Sequence, residues 1–407
     1  MGGNEERQLQ GPLAGVRVLD LGQIYAGGYA GFLLAEAGAD VIKVEPPAGE
    51  NLRRRGAVGG GAYPFAILNA GKRGIVVDLK AAEGRAVFLG LVRHCDVLLE
   101  NFAPGTMERL GLGEKALLDA NERLVYGSAS GYGKEGPYRH LPAMDLTVQA
   151  MAGVMSTTGF PDSPPVKAGP AIADFLAGVH IYGAIVTALY QRERTGRGQA
   201  VEVTMQEATF PSLMSALGLL LSGGKSKDER VWRTGNRHSG YAEAPYNTFR
   251  AADGYIAILS VTDAHWHALA ALVGGPGLAA DERFATLKGR VDRMEEVDAL
   301  VAGWTATRTR DEIAAALQQA RVPHAPVREL PEVAADPNLW GRGMLRTQDH
   351  PELGQITVAH SPLIFASTRR GPLTPSPALG EHTREVLAEV LGYSNEQLDE
   401  LHGKGVI

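Results

Sequence analysis

Along the first half of the chain, short apolar runs alternate with longer stretches whose apolar positions recur every three or four residues. Residues 16–21 (VRVLDL), 40–45 (DVIKVE), 74–79, 96–101, 124–128 and 200–205 are runs of five or six rich in Val, Ile and Leu. Runs of that length without strict alternation predict strands covered on both faces. Between them the spacing predicts helices over 26–37 (ending at Gly38), 82–94, 173–194 and 207–221, the third stopped by TGRG at 195–198. Strands alternating with helices imply βαβ units, hence an α/β domain with a mostly parallel sheet.

The pattern changes past residue 222. A polar break, GGKSKDER at 223–230, precedes a strand near 255–261 and charged amphipathic helices. A tail rich in Pro and Gly (331–380) reads as short strands only, followed by an amphipathic helix at 384–391. The predicted division is a large domain over 1–224, a smaller α+β domain over 225–330, and a C-terminal segment over 331–407. No internal repeat is visible.

The 407 residues are 44% hydrophobic and 21% charged, enough apolar material for sizeable cores. A net charge of −6 with scattered basic residues lacks the concentrated basic face of a nucleic-acid binder. The single cysteine, Cys95, excludes an intrachain disulfide and a multi-cysteine metal site. No run of 18 uninterrupted apolar residues suggests a membrane span, and the polar residues 1–10 carry no apolar signal region, so a cytoplasmic protein is expected.

Two familiar loops are approached and missed. The first βα turn reads GQIYAGGYAG (22–31), which is not G-x-G-x-x-G, and Gly28-Tyr29 stands where a phosphate loop needs Lys and Ser or Thr. Such a turn still offers backbone N–H groups at a helix start to an anionic ligand. GSASG at 127–131 has the spacing of a nucleophile elbow with Ala129 at its centre, so the nucleophile is missing. DAHWH at 263–267 reads as a polar helix start, since no third metal ligand lies near.

Two carboxylates remain. Asp145 follows the glycine-rich GYGKEGP (131–137), and Asp174 lies where the long helix begins. The plain reading of each is a helix cap, with a surface salt bridge also open for Asp145. A carboxylate fixed at a helix N-terminus is also an ionised nucleophile, so cap and catalyst are compatible.

The ordered set GPLAGVRVLD (11–20), AGADVIKVEP (37–46), NAGKR (69–73), ENFAPG (100–105), GYGKEGP (131–137), TGRGQ (195–199) and LGEHT (379–383) resembles the family III CoA-transferases, the CaiB/BaiF group. That group includes formyl-CoA transferase and is related to α-methylacyl-CoA racemase. The resemblance implies a Rossmann-like large domain to which the C-terminal segment returns, a small domain, and two subunits interlocked as a homodimer. It implies a transferase that moves CoA from an acyl-CoA such as succinyl-CoA to a free carboxylic acid, without metal or permanently bound cofactor, nucleic acid or membrane.

By the same resemblance Asp174 is the nucleophile, passing through an aspartyl–acyl anhydride and an aspartyl-CoA thioester. CoA contacts carry over to Tyr25, Ala26, Val77, Lys80, Asn101, Phe102, Arg109, Ala143, Met144 and Asp145. Tyr25 stands where formyl-CoA transferase has Gln, and Pro46 where it has Arg, so Arg53 or Arg54 is the expected substitute for one phosphate contact.

Racemases of the group need two bases flanking the α-carbon, one of them a His in a His-Asp pair. This chain has Met144-Asp145 there, and a thioether exchanges no proton. Transfer is therefore favoured over the alternatives, a 2-methylacyl-CoA racemase (with His140 standing in) or a non-catalytic acyl-CoA binder. The segment GNRHSGYAEAP (235–245) lacks the consecutive glycines of formyl-CoA transferase, which points to a larger acceptor. Arg237 and His238 are the candidates to meet the distal carboxylate of a dicarboxylic acid.

Overall fold

Six of the apolar runs form one parallel sheet. In the computed structural model, which describes residues 11–54, 62–222, 232–368 and 373–407, the strands are β1 (Arg17–Asp20), β2 (Asp40–Glu45), β3 (Arg73–Val76), β4 (Val97–Glu100), β5 (Val125–Ser130) and β6 (Ala200–Thr204). Their order is β3-β2-β1-β4-β5-β6, every pair parallel. Val18 of β1 lies opposite Val41 on one side and Val97 on the other. The order therefore reverses between β1 and β4, and in open α/β sheets a ligand crevice opens beyond the carboxyl ends at that point.

Both faces of the sheet are covered, which is why the strands read as continuous apolar runs. On one face Leu19, Ile42, Ile75 and Leu98 pack with Phe88 and Leu91 of the helix Ala82–Val92 and with Val386 and Leu398 of the C-terminal helices. On the other, Val18, Val41, Val97 and Val125 pack with Leu34 of α1 (Ala26–Glu36) and Ile181 and Ile185 of the long helix Ile172–Thr195. The lone thiol, Cys95, is buried in the first of these cores, and burial pushes it up to about 12, out of reach of ordinary thiolate chemistry.

The chain divides into a large unit (Met1–Ala152, Gly169–Phe210, Pro337–Ile407) and a small one (Gly153–Ala168, Pro211–Asp336). The small unit has a three-stranded antiparallel sheet, Tyr246–Ala251, Gly254–Leu259 and His324–Pro326, covered by Asp263–Ala279, Met294–Thr305 and Arg310–Gln319. Its core centres on Ile256, Ile258, Trp266, Val297 and Ile313. The polar break at 223–230 lies outside the described residues. The structure's own division falls earlier, between Phe210 and Pro211, and 153–168 belong with the small unit.

Three local expectations differ from the structure. The helix expected over 207–221 is broken into Met205–Thr209, a tight 3-10 turn Phe210–Leu213, and Met214–Leu221. Pro211 accounts for the break, because it lacks the N–H that an α-helix interior needs. The tail holds two short helices, Leu330–Ala334 and Pro337–Gly341, besides the hairpin Leu345–His350 and Gly354–Ala359. A final helix, Asn395–Gly403, was not expected from its mostly polar sequence, although Ser394 and Gln397 form a capping box at its start. By length and composition the helix Ile172–Thr195 is long and apolar enough to cross a membrane, yet its Ala173, Ala177, Ile181 and Ile185 are fully buried within the large unit.

Candidate active site

The turn after β1 is built on buried charge. Gly22 N–H donates to Asp20 Oδ1 (2.7 Å) while Lys43 Nζ donates to the Gly22 carbonyl (2.8 Å). Ile24 N–H donates to Glu50 (3.2 Å), and Glu50 lies 3.8 Å from Lys43 Nζ. Beneath them Lys72 Nζ donates to Asp20 Oδ2 (2.7 Å), Asn69 Oδ1 (3.0 Å) and the Gly28 carbonyl (3.1 Å). Burial holds Lys72 below the usual lysine range and Glu50 above the usual carboxylate range. The glycines of this segment make room for the network: a Cβ on Gly31 would sit 2.4 Å from Asp20 Oδ2. Ile24 is held at φ +56°, a conformation that costs a β-branched residue strain.

The opposing wall is the loop after β4. Asn101 Oδ1 accepts from Gln23 N–H (2.7 Å) and its Nδ2 donates to the Gln23 carbonyl (3.0 Å), tying the two loops together at the point where the strand order reverses. A Cβ on Gly27 would lie 2.8 Å from that same Asn101 oxygen, so the first turn of α1 approaches the loop only because Gly27 has none. Glu100 accepts from Phe102 N–H (2.7 Å) and from the Tyr126 hydroxyl (3.0 Å).

Asp145 opens α2 (Asp145–Met151), and Asp174 lies in the first turn of α3 (Ile172–Thr195). The two are linked through the backbone. Asp145 Oδ1 accepts the Ala173 N–H (2.9 Å), and its Oδ2 accepts from the fully buried Gln149 (2.6 Å). Asp145 thus caps the start of α3 from outside, and Asp174 is the third residue of that helix. Ala26, Val148, Ala173, Ala177 and Met205 pack together beneath this corner. Gly178 lets α3 cross α1 closely, since a Cβ there would be 2.9 Å from the Ala26 carbonyl oxygen.

The result is a cavity of about 170 Å3 lined by Asp174, Asp145, Ala26, Asn101, Phe102, Ala143 and Met144. Tyr25 stands beside it, stacked on Phe175 with ring centres 5.8 Å apart. Three candidates are not brought to it: Val77 is buried in the sheet core, Lys80 lies in the exposed turn before Ala82–Val92, and the exposed Arg109 donates to Thr106 Oγ1 (2.9 Å). Arg53 is held by Glu45 (2.8 Å) and by the Pro377 carbonyl (3.0 Å), so its guanidinium is engaged within the protein; the side chain of Arg54 lies outside the described residues.

Sequence reasoning missed Gln23, Ile24 and Arg139, which also line the cavity. Gln23 was legible as the polar residue of the first turn; Arg139, an exposed residue of a loop, carried no signal. His140 is exposed and does not line the cavity, whereas Met144 does. In the small unit Arg237 is bound by Asp298 and Glu295 (2.7 Å each), so the expectation that it meets a substrate carboxylate is corrected: its charge is already matched. His238 Nδ1 lies 2.9 Å from the Ser239 carbonyl oxygen, an acceptor, and the ring packs edge-on against Tyr246. Among the described residues no group of three His, Cys, Asp or Glu side chains is placed to hold a metal, and His265 and His267 lie in the first turns of Asp263–Ala279.

The sequence profile of CoA-transferase family III matches residues 13–383. A formyl-CoA:oxalate CoA-transferase of Streptomyces coelicolor is 36% identical over 97% of this chain and 99% of its own length. A succinyl-CoA–D-citramalate CoA-transferase of Chloroflexus aurantiacus is 36% identical over 97% and 98%. The crystal structure of a CaiB/BaiF family protein from Brucella suis superposes with a TM-score of 0.82 at 36% identity, covering 94% of this chain and 100% of that one.

Proposed function

The chain belongs to CoA-transferase family III and is a CoA-transferase, and from that premise we propose that Asp174 carries the acyl group between a CoA donor such as succinyl-CoA and a dicarboxylic or substituted acceptor acid. The observation that carries the reading is Asp174 in the wall of a cavity at the sheet's reversal point, on a helix start held by Asp145.

The steps balance without a metal or an external base. An Asp174 oxygen attacks the thioester carbonyl, the C–S bond breaks, and CoA leaves as thiolate, giving a mixed anhydride. The thiolate then attacks Asp174 Cγ, releasing the donor as its carboxylate and leaving an aspartyl-CoA thioester. The acceptor carboxylate attacks that thioester and expels thiolate, which takes the new acyl group and frees Asp174. Both acids and both thioesters are alike in energy, so holding the activated group on the protein keeps it from water. The N-terminal N–H groups of α1, which no side chain among the described residues caps, are the proposed donors to the oxyanions.

Ala26, Asn101, Phe102, Ala143, Met144 and Asp145 are the proposed pantetheine-side contacts, with Tyr25 behind them. Lys80 and Arg109, joined by Arg139, are the proposed partners of the phosphates, which lie far from the thiol in so long a ligand. We place the enzyme in the cytoplasm as a homodimer of the family's interlocked type. Phe175, Val179 and Tyr190 of α3, 37%, 46% and 60% exposed, support an apolar contact of that kind. Light scattering is expected to return twice the 43.2 kDa chain mass; a single-chain mass at working concentration would remove the dimer.

The test of the chemistry is to incubate the protein with succinyl-CoA and a panel of dicarboxylic acids, then trap with hydroxylamine. A hydroxamate at Asp174 is expected, together with a loss of transfer of about 10³-fold or more in Asp174→Ala. Full turnover by that variant would overturn the mechanism. Deuterium uptake at the α-carbon of 2-methylacyl-CoA in heavy water would favour the racemase, and CoA binding without transfer would favour a binder.

A further inference from the structure

Behind the cavity wall lies a second cluster that the transfer steps do not use. Glu100 ends β4, is 5% exposed, and accepts from Phe102 N–H and the Tyr126 hydroxyl. Ser128 Oγ and Ser130 border the same small void of about 10 Å3, and the Ser128 oxygen is buried with no hydrogen-bond partner. The loop that closes this void, residues 102–104, is also the wall of the Asp174 cavity.

We infer that Glu100 is a positioning residue that holds this loop for CoA, and that its protonation loosens the hold and weakens CoA binding. The inference rests on the cavity being the CoA site proposed above. As a carboxylate Glu100 makes two charge-assisted hydrogen bonds, one of them to the backbone of the cavity wall; as a neutral acid it makes ordinary ones. Burial pushes Glu100 up to about 7, against the hydrogen bonds from Phe102 and Tyr126. The charged groups facing it are few. Lys134 lies 4.9 Å above the Tyr126 ring and favours the carboxylate, though it also pairs with Glu114 (3.2 Å). Glu108, across the void, opposes ionisation. Among the described residues Glu100 has no ion-pair partner, in contrast to Glu50 and Asp20 beneath the other wall.

The test is the dissociation constant of CoA, without turnover, from pH 6 to 8 in the wild type, Glu100→Gln and Tyr126→Phe. Wild-type affinity is expected to fall roughly fivefold from pH 8 to 6, the difference between a charge-assisted and a neutral hydrogen bond. The ligand's own phosphate monoester titrates near pH 6 in every variant, so only differences between variants count. Glu100→Gln is expected to bind at pH 8 as the wild type does at pH 6, without that step. Tyr126→Phe removes a donor to the carboxylate and is expected to move the step to higher pH.

Melting separates this role from a structural one. A carboxylate whose folded value is raised from about 4.3 to 7 stabilises the fold at low pH and loses that contribution as pH rises through 7. Glu100→Gln is therefore expected to melt at or above the wild type at pH 8 while binding CoA more weakly. Parallel binding curves for wild type and Glu100→Gln would overturn this inference alone. Absence of CoA binding in the wild type at every pH would overturn the transferase site and this inference with it.

Discussion

The two loops that face each other across the cavity are held in opposite ways. The turn after β1 rests on Lys43, Glu50, Asp20 and Lys72, all buried, each charge answered by another. The loop after β4 rests on one carboxyl, Glu100, answered by a hydroxyl and an N–H. In the first wall each buried charge has an opposite charge beside it. The second wall depends on a group that changes charge near neutral pH. Ile24, held in the left-handed region, stands on the first wall, and strain of that kind persists where the surroundings over-determine the backbone.

The comparison breaks most visibly at Lys72. Lys72→Met removes the ion-pair partner of the buried Asp20, leaving the Gly22 N–H as its hydrogen bond among the described residues, and is expected to cost about 3–5 kcal/mol. Urea unfolding measures the loss. Asp20→Asn combined with Lys72→Met should recover part of it, because no uncompensated charge then remains. A cost below about 1 kcal/mol for Lys72→Met alone would mean that the pair is not what stiffens the first wall. Glu100→Gln, by contrast, strands no partner charge, so an equally large loss there would erase the distinction between the walls.

Much of the fold was legible because burial on both faces writes strands as unbroken apolar runs; β2 falls where its run does, at Asp40–Glu45. The motif NAGKR was legible as family-like without a role, and the structure supplies one, since Asn69 and Lys72 hold the first turn from below. What spacing cannot show is an interaction across many residues of chain. Asp145 reads as the cap of its own helix, yet its oxygen takes the N–H of Ala173, 28 positions on. Arg237 reads as an unclaimed cation because its partners, Glu295 and Asp298, lie about 60 residues downstream. Pro211 divides the helix expected at 207–221, a break that the apolar run around it masks in the sequence pattern.

The smallest effect on stability is expected at Ile24, and it sharpens the comparison. A half-buried Ile cut to Gly ordinarily loses packing and gives the unfolded chain more freedom, both unfavourable. At φ +56° the same change also relieves a left-handed conformation that costs a non-glycine residue about 1–3 kcal/mol. The two contributions oppose each other, so Ile24→Gly should alter unfolding stability by less than about 1 kcal/mol, well under the usual cost of emptying an apolar site. Transfer should fall nonetheless, because the wall loses a side chain that lines the cavity beside Asp174. A loss of 2 kcal/mol or more would show that packing, not the network under the turn, holds Ile24 in place. Unchanged stability with unchanged transfer would separate the first wall from catalysis and leave the loop after β4 as the one that matters.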